Sequence, residues 1–200
     1  MNTKRAIAAL LGVASLFAGA SPVFADPTCA SLENKKSESR LEFLQGEKAR
    51  LDGNCVLYAI DQLGRAQYAP AVPTLIRYLD YPYPDPPNYG TPQNPLILAK
   101  INWTNYPAAN ALSDIGKVAV PQLVEAIADA ATPELIRKNA ADTERFIYAP
   151  DPPEGIAVLV RAAHARTDPM DSLRLMDQAR RLASLCRPEV RNECENASLK

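Results

Sequence analysis

The chain has 200 residues, of which 22 are lysine or arginine and 23 are aspartate or glutamate, for a formal net charge of −1. This length suits a single domain. The near balance of charge, without a cluster of lysine and arginine, argues against a nucleic-acid partner. Because His164 is the only histidine, a zinc site or a histidine-based catalytic triad would have to depend on it, and we expect neither.

The first 25 residues have the pattern of a secretory signal peptide. Two basic residues precede an apolar run over residues 6–20, and small residues stand at the −3 and −1 positions of a cleavage site after Ala25. An uncleaved anchor is the alternative, but the run stops short of the ~20 residues that span a bilayer. The pattern therefore predicts a periplasmic or secreted mature domain over residues 26–200, with no later membrane span.

All four cysteines, Cys29, Cys55, Cys186 and Cys194, lie in the predicted mature domain. An even number of cysteines in an exported protein suggests two disulfides, and three pairings are possible. We favour Cys29–Cys55, which would tie the first helix to the second, and Cys186–Cys194, which would close a short loop around Pro188. The spacing of the cysteines does not match common zinc motifs, so we expect no metal site.

Apolar residues of the mature domain recur with the period of amphipathic helices, and strand signals are nearly absent. We predict an exposed N-terminal helix over residues 31–51, interrupted near Gly46. Residues 54–80 predict a pair of helices. The first of them ends at Gly64, where glycine favours a left-handed C-cap, and the second has a proline in its first turn.

The same two-helix pattern recurs over residues 106–130, where Gly116 corresponds to Gly64. This is an internal repeat of a helical hairpin. We predict a third, diverged hairpin over residues 132–166, whose second helix starts at a cap at Asp151, and a last helix over residues 168–186 that starts at a cap at Asp168. Each hairpin has one apolar face that stacking on the next hairpin would bury. The sequence therefore predicts an all-α fold, a short α-solenoid of about three hairpins whose last helix is held by a disulfide.

The second hairpin carries a pattern of small and apolar residues around one glycine and one proline. The residues of this pattern are Ala108, Ala111, Leu112, Ile115, Gly116, Ala119, Val120, Pro121 and Leu123. The pattern resembles a HEAT repeat of the phycobilisome-lyase-like kind, and with fewer matches the resemblance extends to residues 56–79 and 134–166, about half of the mature chain. The resemblance implies a curved α-solenoid that binds proteins. A few members of that family attach bilins, but no bilin-site motif is present here.

A proline- and tyrosine-rich insertion over residues 81–104 separates the first two hairpins. Its first part, YPYPDPPNYGTPQNP, holds six prolines and three tyrosines, and residues 95–103 suit a short strand or a helical turn. Prolines lower the entropy cost of ordering a loop, and tyrosine and tryptophan suit binding surfaces. The insertion is therefore either a partner-binding surface or a rigid cover on the helices. The candidate partner-binding residues are Tyr81, Tyr83, Tyr89 and Trp103.

These patterns favour an exported, non-enzymatic scaffold that binds a protein or peptide as a monomer, without cofactors or catalytic residues. Two alternatives stay open. A lyase or hydrolase would use the carboxylates of Asp80, Asp85 and Asp114 beside the insertion, although such carboxylates commonly serve as caps and solvated surface groups. A structural protein of the cell envelope would instead associate with itself.

Overall fold

A computed structural model of the protein describes residues 29–47, 49–83 and 105–198. All regular secondary structure in these ranges is helical, which confirms the predicted all-α class for this part of the chain. The helices are α1 (Ala30–Glu33), α2 (Ser37–Gln45), α3 (Gly53–Arg65), α4 (Val72–Arg77), α5 (Pro107–Ile115), α6 (Val120–Ala128), α7 (Glu134–Ile147), α8 (Pro152–His164), α9 (Pro169–Ala183) and α10 (Arg191–Ser198). Short 3-10 turns lie between them at Ala49–Leu51, Ala69–Ala71, Gly116–Ala119 and Pro188–Val190. None of the helices in the described ranges is long and apolar enough to cross a membrane.

Two predicted segments lie outside the described residues. They are the signal peptide, residues 1–25, and all but the first three residues of the insertion, together with the strand or turn predicted over residues 95–103. The predicted N-terminal helix is divided into α1 and α2, and α2 ends before Gly46 as predicted.

The first two predicted hairpins, α3 with α4 and α5 with α6, pack against each other. α3 lies along α5, and α4 contacts α5 and α6. Apolar side chains at the predicted helical spacing meet in these contacts and are fully buried, among them Ile60, Leu63, Leu75, Leu112 and Leu123. Burying one such side chain contributes about 1.5–3 kcal/mol. This shared core therefore holds the two hairpins together across the insertion.

The two glycines that correspond in the repeat serve different purposes. Gly116 has a φ of 74° and follows the last residue of α5, a conformation that glycine adopts without strain. Gly64 lies inside α3, so the prediction of a left-handed C-cap there is wrong, and the residue with positive φ near this helix end is Gln67. A Cβ at Gly64 would lie 2.6 Å from the Cα of Ala111. The glycine therefore permits the close contact between α3 and α5.

The helices after residue 130 add further contacts to this core. α7 packs on α6 and α5, whereas α8 lies chiefly against α9 and α10. The predicted starts of α8 and α9 are confirmed by their caps. The Asp151 carboxylate accepts a hydrogen bond from the amide of Glu154 at 3.4 Å, and the Asp168 carboxylate accepts one from the amide of Met170 at 2.7 Å. Such caps stabilise a helix by about 1 kcal/mol each.

Two disulfides attach the ends of the described fold to its core. Cys29 is bonded to Cys55 with a Cα–Cα distance of 5.1 Å, and Cys186 is bonded to Cys194 with a Cα–Cα distance of 6.6 Å. These are the two pairings that the sequence favoured. The first joins the start of α1 to α3. The second joins the segment after α9 to α10, a helix that the sequence did not predict and that packs on α8.

Candidate functional site

Tyr83 and Asn105, the described residues on either side of residues 84–104, are hydrogen-bonded to each other. The amide of Tyr83 donates to the carbonyl oxygen of Asn105 at 2.9 Å. Just before this point, the carbonyl oxygen of Leu79 accepts a hydrogen bond at 2.6 Å from Nδ2 of Asn139, a buried side chain of α7. Tyr83 and Asn105 therefore lie together at one fixed place on the scaffold.

Aromatic and charged side chains surround this place, and we call Arg50, Tyr78, Asp80, Tyr81 and Tyr83 the insertion base. The rings of Tyr78 and Tyr81 meet edge to face, with their centroids 5.9 Å apart. The guanidinium of Arg50 lies 4.8 Å from the centroid of the Tyr78 ring and donates to the Asp80 carboxylate at 2.9 Å. Aromatic pairs and cation–π contacts each contribute about 1 kcal/mol. These contacts hold Arg50, Tyr78 and Tyr81 of the insertion base in fixed positions.

Tyr78 anchors the insertion base in the core. Its side chain is buried, and its hydroxyl donates to the carbonyl oxygen of Leu44 at 2.9 Å, which links the end of α4 to α2. Burial raises the pKa of the Tyr78 hydroxyl, while the charges of Arg50 and Arg77 act in the opposite direction. The hydroxyl therefore stays neutral at physiological pH and keeps its role as a donor.

The structure brings together two of the four predicted partner-binding residues. Tyr81 and Tyr83 are both half-buried at the insertion base, whereas Tyr89 and Trp103 lie outside the described residues. The Tyr81 hydroxyl lies close to Gly53, where a Cβ would be 3.1 Å from its oxygen. Half-exposed tyrosines present an apolar ring beside a polar hydroxyl, and this combination suits contact with a peptide.

Two of the three carboxylates that the enzyme hypothesis would use lie within the described residues. Asp80 makes an ion pair with Arg50, Asp114 is exposed in the last turn of α5, and Asp85 lies outside the described residues. His164 is exposed in the last turn of α8, near the helix end where the sequence placed it. The described contacts thus leave Asp80 and Asp114 on separate elements.

One group of side chains has the spacing of metal ligands but not the required chemistry. The sulfur atoms of Cys29 and Cys55 and a carboxylate oxygen of Asp52 lie within 4.8 Å of one another. The two sulfurs are joined in a disulfide, so they are not thiolates, the form that ligates metals. The Asp52 carboxylate accepts a hydrogen bond from the amide of Cys55 at 3.3 Å. These residues therefore fix the start of α3.

Sequence reasoning missed a buried polar pair between α7 and α9. Glu144 and Gln178 are both buried, and Nε2 of Gln178 donates to Oε2 of Glu144 at 2.9 Å. The second carboxylate oxygen has no hydrogen-bond partner within the described part of the chain. Burial raises the pKa of Glu144 to about 7, against the opposing effect of the bond from Gln178. The available signal was its position, because Glu144 follows Ile136 and Ala140 at helical spacing on the buried face of α7.

Comparison of the protein with family models, with curated proteins and with solved structures finds no match. Its function is therefore inferred from the geometry of the insertion base and from the pattern of its helices.

Proposed function

We propose that the protein is an exported, non-enzymatic scaffold that binds a protein or peptide partner at the insertion base and the adjoining residues 84–104. The observation that carries the proposal is the hydrogen bond from the amide of Tyr83 to the carbonyl oxygen of Asn105. Connections longer than about 12–15 residues are uncommon in compact domains and are commonly functional. Here residues 84–104 connect Tyr83 to Asn105 beside the half-exposed tyrosines of the insertion base.

The insertion base suits binding because its side chains are already held in place. Tyrosine offers a large contact area with only two side-chain torsions, so ordering it on binding costs little entropy. Tyr81 is packed against Tyr78, and Arg50 is fixed by the Asp80 carboxylate and by the carbonyl oxygen of Arg77 at 2.6 Å. A partner would therefore meet a surface that does not have to be reorganised.

We also propose that the helices form a short HEAT-like solenoid. Two successions of contacts support this arrangement: α3 contacts α5 and α5 contacts α7, while α4 contacts α6 and α6 contacts α9. Each contact joins helices that are near each other along the chain, as in solenoids whose repeats touch only their neighbours. Solenoids offer extended faces to protein partners, which agrees with the HEAT-like pattern of the second hairpin.

Export is supported by the signal-peptide pattern and by the state of the cysteines. All four cysteines are paired, and disulfides persist in oxidising compartments such as the periplasm and the cell exterior. We therefore propose that residues 26–200 act as a monomer in the periplasm or outside the cell, after cleavage behind Ala25.

A carboxylate-dependent lyase or hydrolase is the alternative that the sequence left open. It would require Asp80 and Asp114 to face one substrate beside the insertion. Asp80 is held by Arg50 and Asp114 lies in the last turn of α5, so no specific observation favours this function and we do not propose it.

Affinity capture from the envelope and growth medium of the producing cells tests the proposed function. One bait is the native protein. The other has residues 84–103 replaced by a glycine–serine linker of equal length and keeps Tyr83 and Asn105. Both baits must give the same circular dichroism spectrum and the same melting temperature. We expect a partner that only the native bait retains. The same partner on both baits would contradict the part of the proposal that concerns residues 84–104, and no partner on either bait would contradict the whole proposal.

A further inference from the structure

A second surface, separate from the insertion base, lies between α7 and α9. It is an open groove of about 310 Å³ whose apolar part is formed by Ile127 of α6 and Ala141 of α7. Charged side chains of α7 and α9 form the rest of its wall: Arg137, Lys138, Arg174, Arg181, Glu134 and Asp177. The groove thus combines an apolar floor with four cations and two anions.

Two of these charged groups are already engaged within the protein. Arg174 donates to the carbonyl oxygen of Ala128 and to the carboxylate of Asp171, both at 2.7 Å. Asp177 accepts from Arg180 at 2.7 Å. Arg174 is therefore bound to the end of α6, and the charges of Arg174 and Asp177 are both compensated by neighbouring side chains of α9.

Three cations of the groove are free of ion pairs with other described residues and can bind an anionic ligand. Arg137, Lys138 and Arg181 make no ion pair with any residue in the described ranges. Arg137 is nevertheless held in position, because its Nη1 donates to the carbonyl oxygen of Thr132 at 3.1 Å. The remaining anion of the wall, Glu134, also makes no ion pair there.

The excess of positive charge persists when the neighbouring groups are counted. The wall itself has four positive and two negative charges, an excess of two. The neighbours Asp171 and Arg180 add one charge of each sign, and so do Asp142 and Arg145, since Asp142 lies within electrostatic reach of Lys138, Arg145 and Arg181. Glu144, which is hydrogen-bonded to Gln178 of the wall, adds at most one negative charge. The groove therefore stays positive on a chain whose formal net charge is −1.

We propose that this groove binds an acidic peptide segment. Arginine and lysine bind carboxylates with charge-assisted hydrogen bonds, and arginine can do so with two parallel bonds. The floor formed by Ile127 and Ala141 gives contact to the apolar part of a peptide. Exposed Leu135 on α7 and exposed Leu173 on α9 add apolar surface on the two helices that form the groove. The excess of positive charge in the groove therefore favours an acidic peptide as the ligand.

A peptide fits this surface better than a nucleic acid does. Binding to nucleic acid depends on many phosphate contacts along the backbone, whereas this groove is short and has an excess of only two charges. Because the groove lies on α6, α7 and α9, peptide binding there does not depend on whether the insertion base binds a partner.

Fluorescence anisotropy of the purified protein with defined peptides tests this proposal. The probe is a labelled hexapeptide with four glutamates between two terminal leucines, and the matched probe has glutamine in place of each glutamate. The variant pair Lys138→Gln with Arg181→Gln removes two cations of the groove. The control pair Lys36→Gln with Arg191→Gln removes two exposed cations elsewhere. Both pairs must keep the native melting temperature, as exposed side chains allow.

We expect saturable binding of the glutamate peptide that weakens as salt rises. The groove pair should weaken binding roughly five- to tenfold, and the control pair should leave it unchanged. Nuclear magnetic resonance should show the side-chain amide signals of Gln178 shifting as the peptide is added. The proposal is overturned by equal binding of the glutamine peptide, equal loss in both variant pairs, no binding at all, or tighter binding of single-stranded DNA or inorganic phosphate.

Discussion

Glu144 shows how a single buried side chain determines a pH dependence. It is fully buried on α7, and its carboxylate accepts one hydrogen bond, from Gln178. A low-dielectric environment favours the neutral form of a carboxyl group, so burial raises its pKa from 4.5 to about 7. The folded protein then holds a proton that the unfolded chain has released. The free energy of unfolding therefore falls as pH rises from about 4.5 to about 7.

Replacing Glu144 with glutamine (Glu144→Gln) should flatten this dependence. Through this group the native protein loses about 3 kcal/mol of its free energy of unfolding across that range, so the stability of the variant relative to the native protein should be about 3 kcal/mol higher at pH 8 than at pH 5. Urea unfolding at the two pH values measures this difference. Glu134→Gln, an exposed change on the same helix, is the matched control.

The comparison between the two proteins isolates Glu144 from other acids. The pKa of Glu125 is lowered by its hydrogen bond from Arg166, so Glu125 contributes a dependence of the opposite sign at acid pH. That contribution is common to both proteins and cancels in their difference. If the free energy of unfolding of the Glu144→Gln protein changes with pH as steeply as that of the native protein, the raised pKa of the Glu144 carboxyl is contradicted.

Gly64 is predicted to be intolerant of a side chain, although it lies inside a helix. Alanine normally stabilises a helix relative to glycine by about 1 kcal/mol, but a Cβ at Gly64 would lie 2.6 Å from the Cα of Ala111. Gly64→Ala should therefore lower the free energy of unfolding by about 1–3 kcal/mol, as measured by urea unfolding. The neighbouring change Arg65→Ala, which removes only an exposed ion pair, should cost less than about 1 kcal/mol. A stabilising Gly64→Ala change would show that α3 and α5 are not in close contact.

Among the helices, α10 depends on covalent attachment more than on its core. Of its residues only Cys194 and Ala197 are buried, and the disulfide to Cys186 holds it beside α8. On the chain-entropy account, a disulfide that spans 8 residues stabilises by about 2.5 kcal/mol, and one that spans 26 residues by about 3.5 kcal/mol.

Removing each disulfide by paired cysteine-to-serine changes tests this account of the helical ends. The change at Cys186 and Cys194 should lower the free energy of unfolding by about 2–3 kcal/mol, and the change at Cys29 and Cys55 by about 1 kcal/mol more. Hydrogen exchange of the α10 amides should accelerate only in the first variant. Unchanged α10 exchange without the Cys186–Cys194 bond would contradict the dependence of α10 on its disulfide.

The sequence predicted those elements whose apolar residues follow one helical face. The helices of the first two hairpins were found from this period, and the starts of α8 and α9 from their aspartate caps. α10 was missed because its residues are mostly polar, and periodicity has little to detect in such a helix. The role of Gly64 depends on Ala111 of another helix, and the pairing of α8 with α9 depends on packing between elements. Neither can be read from local sequence.

On the scale of the whole molecule, part of the candidate site was predictable. Tyr81 and Tyr83 stood out because tyrosine and proline are concentrated in one stretch of the chain. The side chains that support them come from distant parts of it: Arg50 precedes Asp80 by 30 residues, and Asn139 lies 60 residues from Leu79. Such partners are fixed by tertiary structure, so no local pattern identifies them.

The proposed scaffold should be monomeric over a wide range of concentration. Exposed apolar side chains such as Leu51 and Val118 lie on separate 3-10 turns, and scattered residues of this kind do not require a partner subunit. Size-exclusion chromatography with light scattering should give the monomer mass from roughly micromolar to roughly hundred-micromolar protein. A mass that rises with concentration would support the structural protein of the cell envelope instead.

Photo-crosslinking from the insertion base tests the central claim most directly. A benzophenone amino acid is placed at Tyr83 in one protein and at Val118 in another, and each is irradiated in the producing cells. Val118 is exposed and follows the C-terminal end of α5, whereas Asn105 precedes the other end of this helix. If the insertion base binds a partner, Tyr83 gives one discrete crosslinked species that mass spectrometry identifies as a second protein, and Val118 does not give it. The same species from both positions, or none from Tyr83, would contradict a partner-binding role for the insertion base.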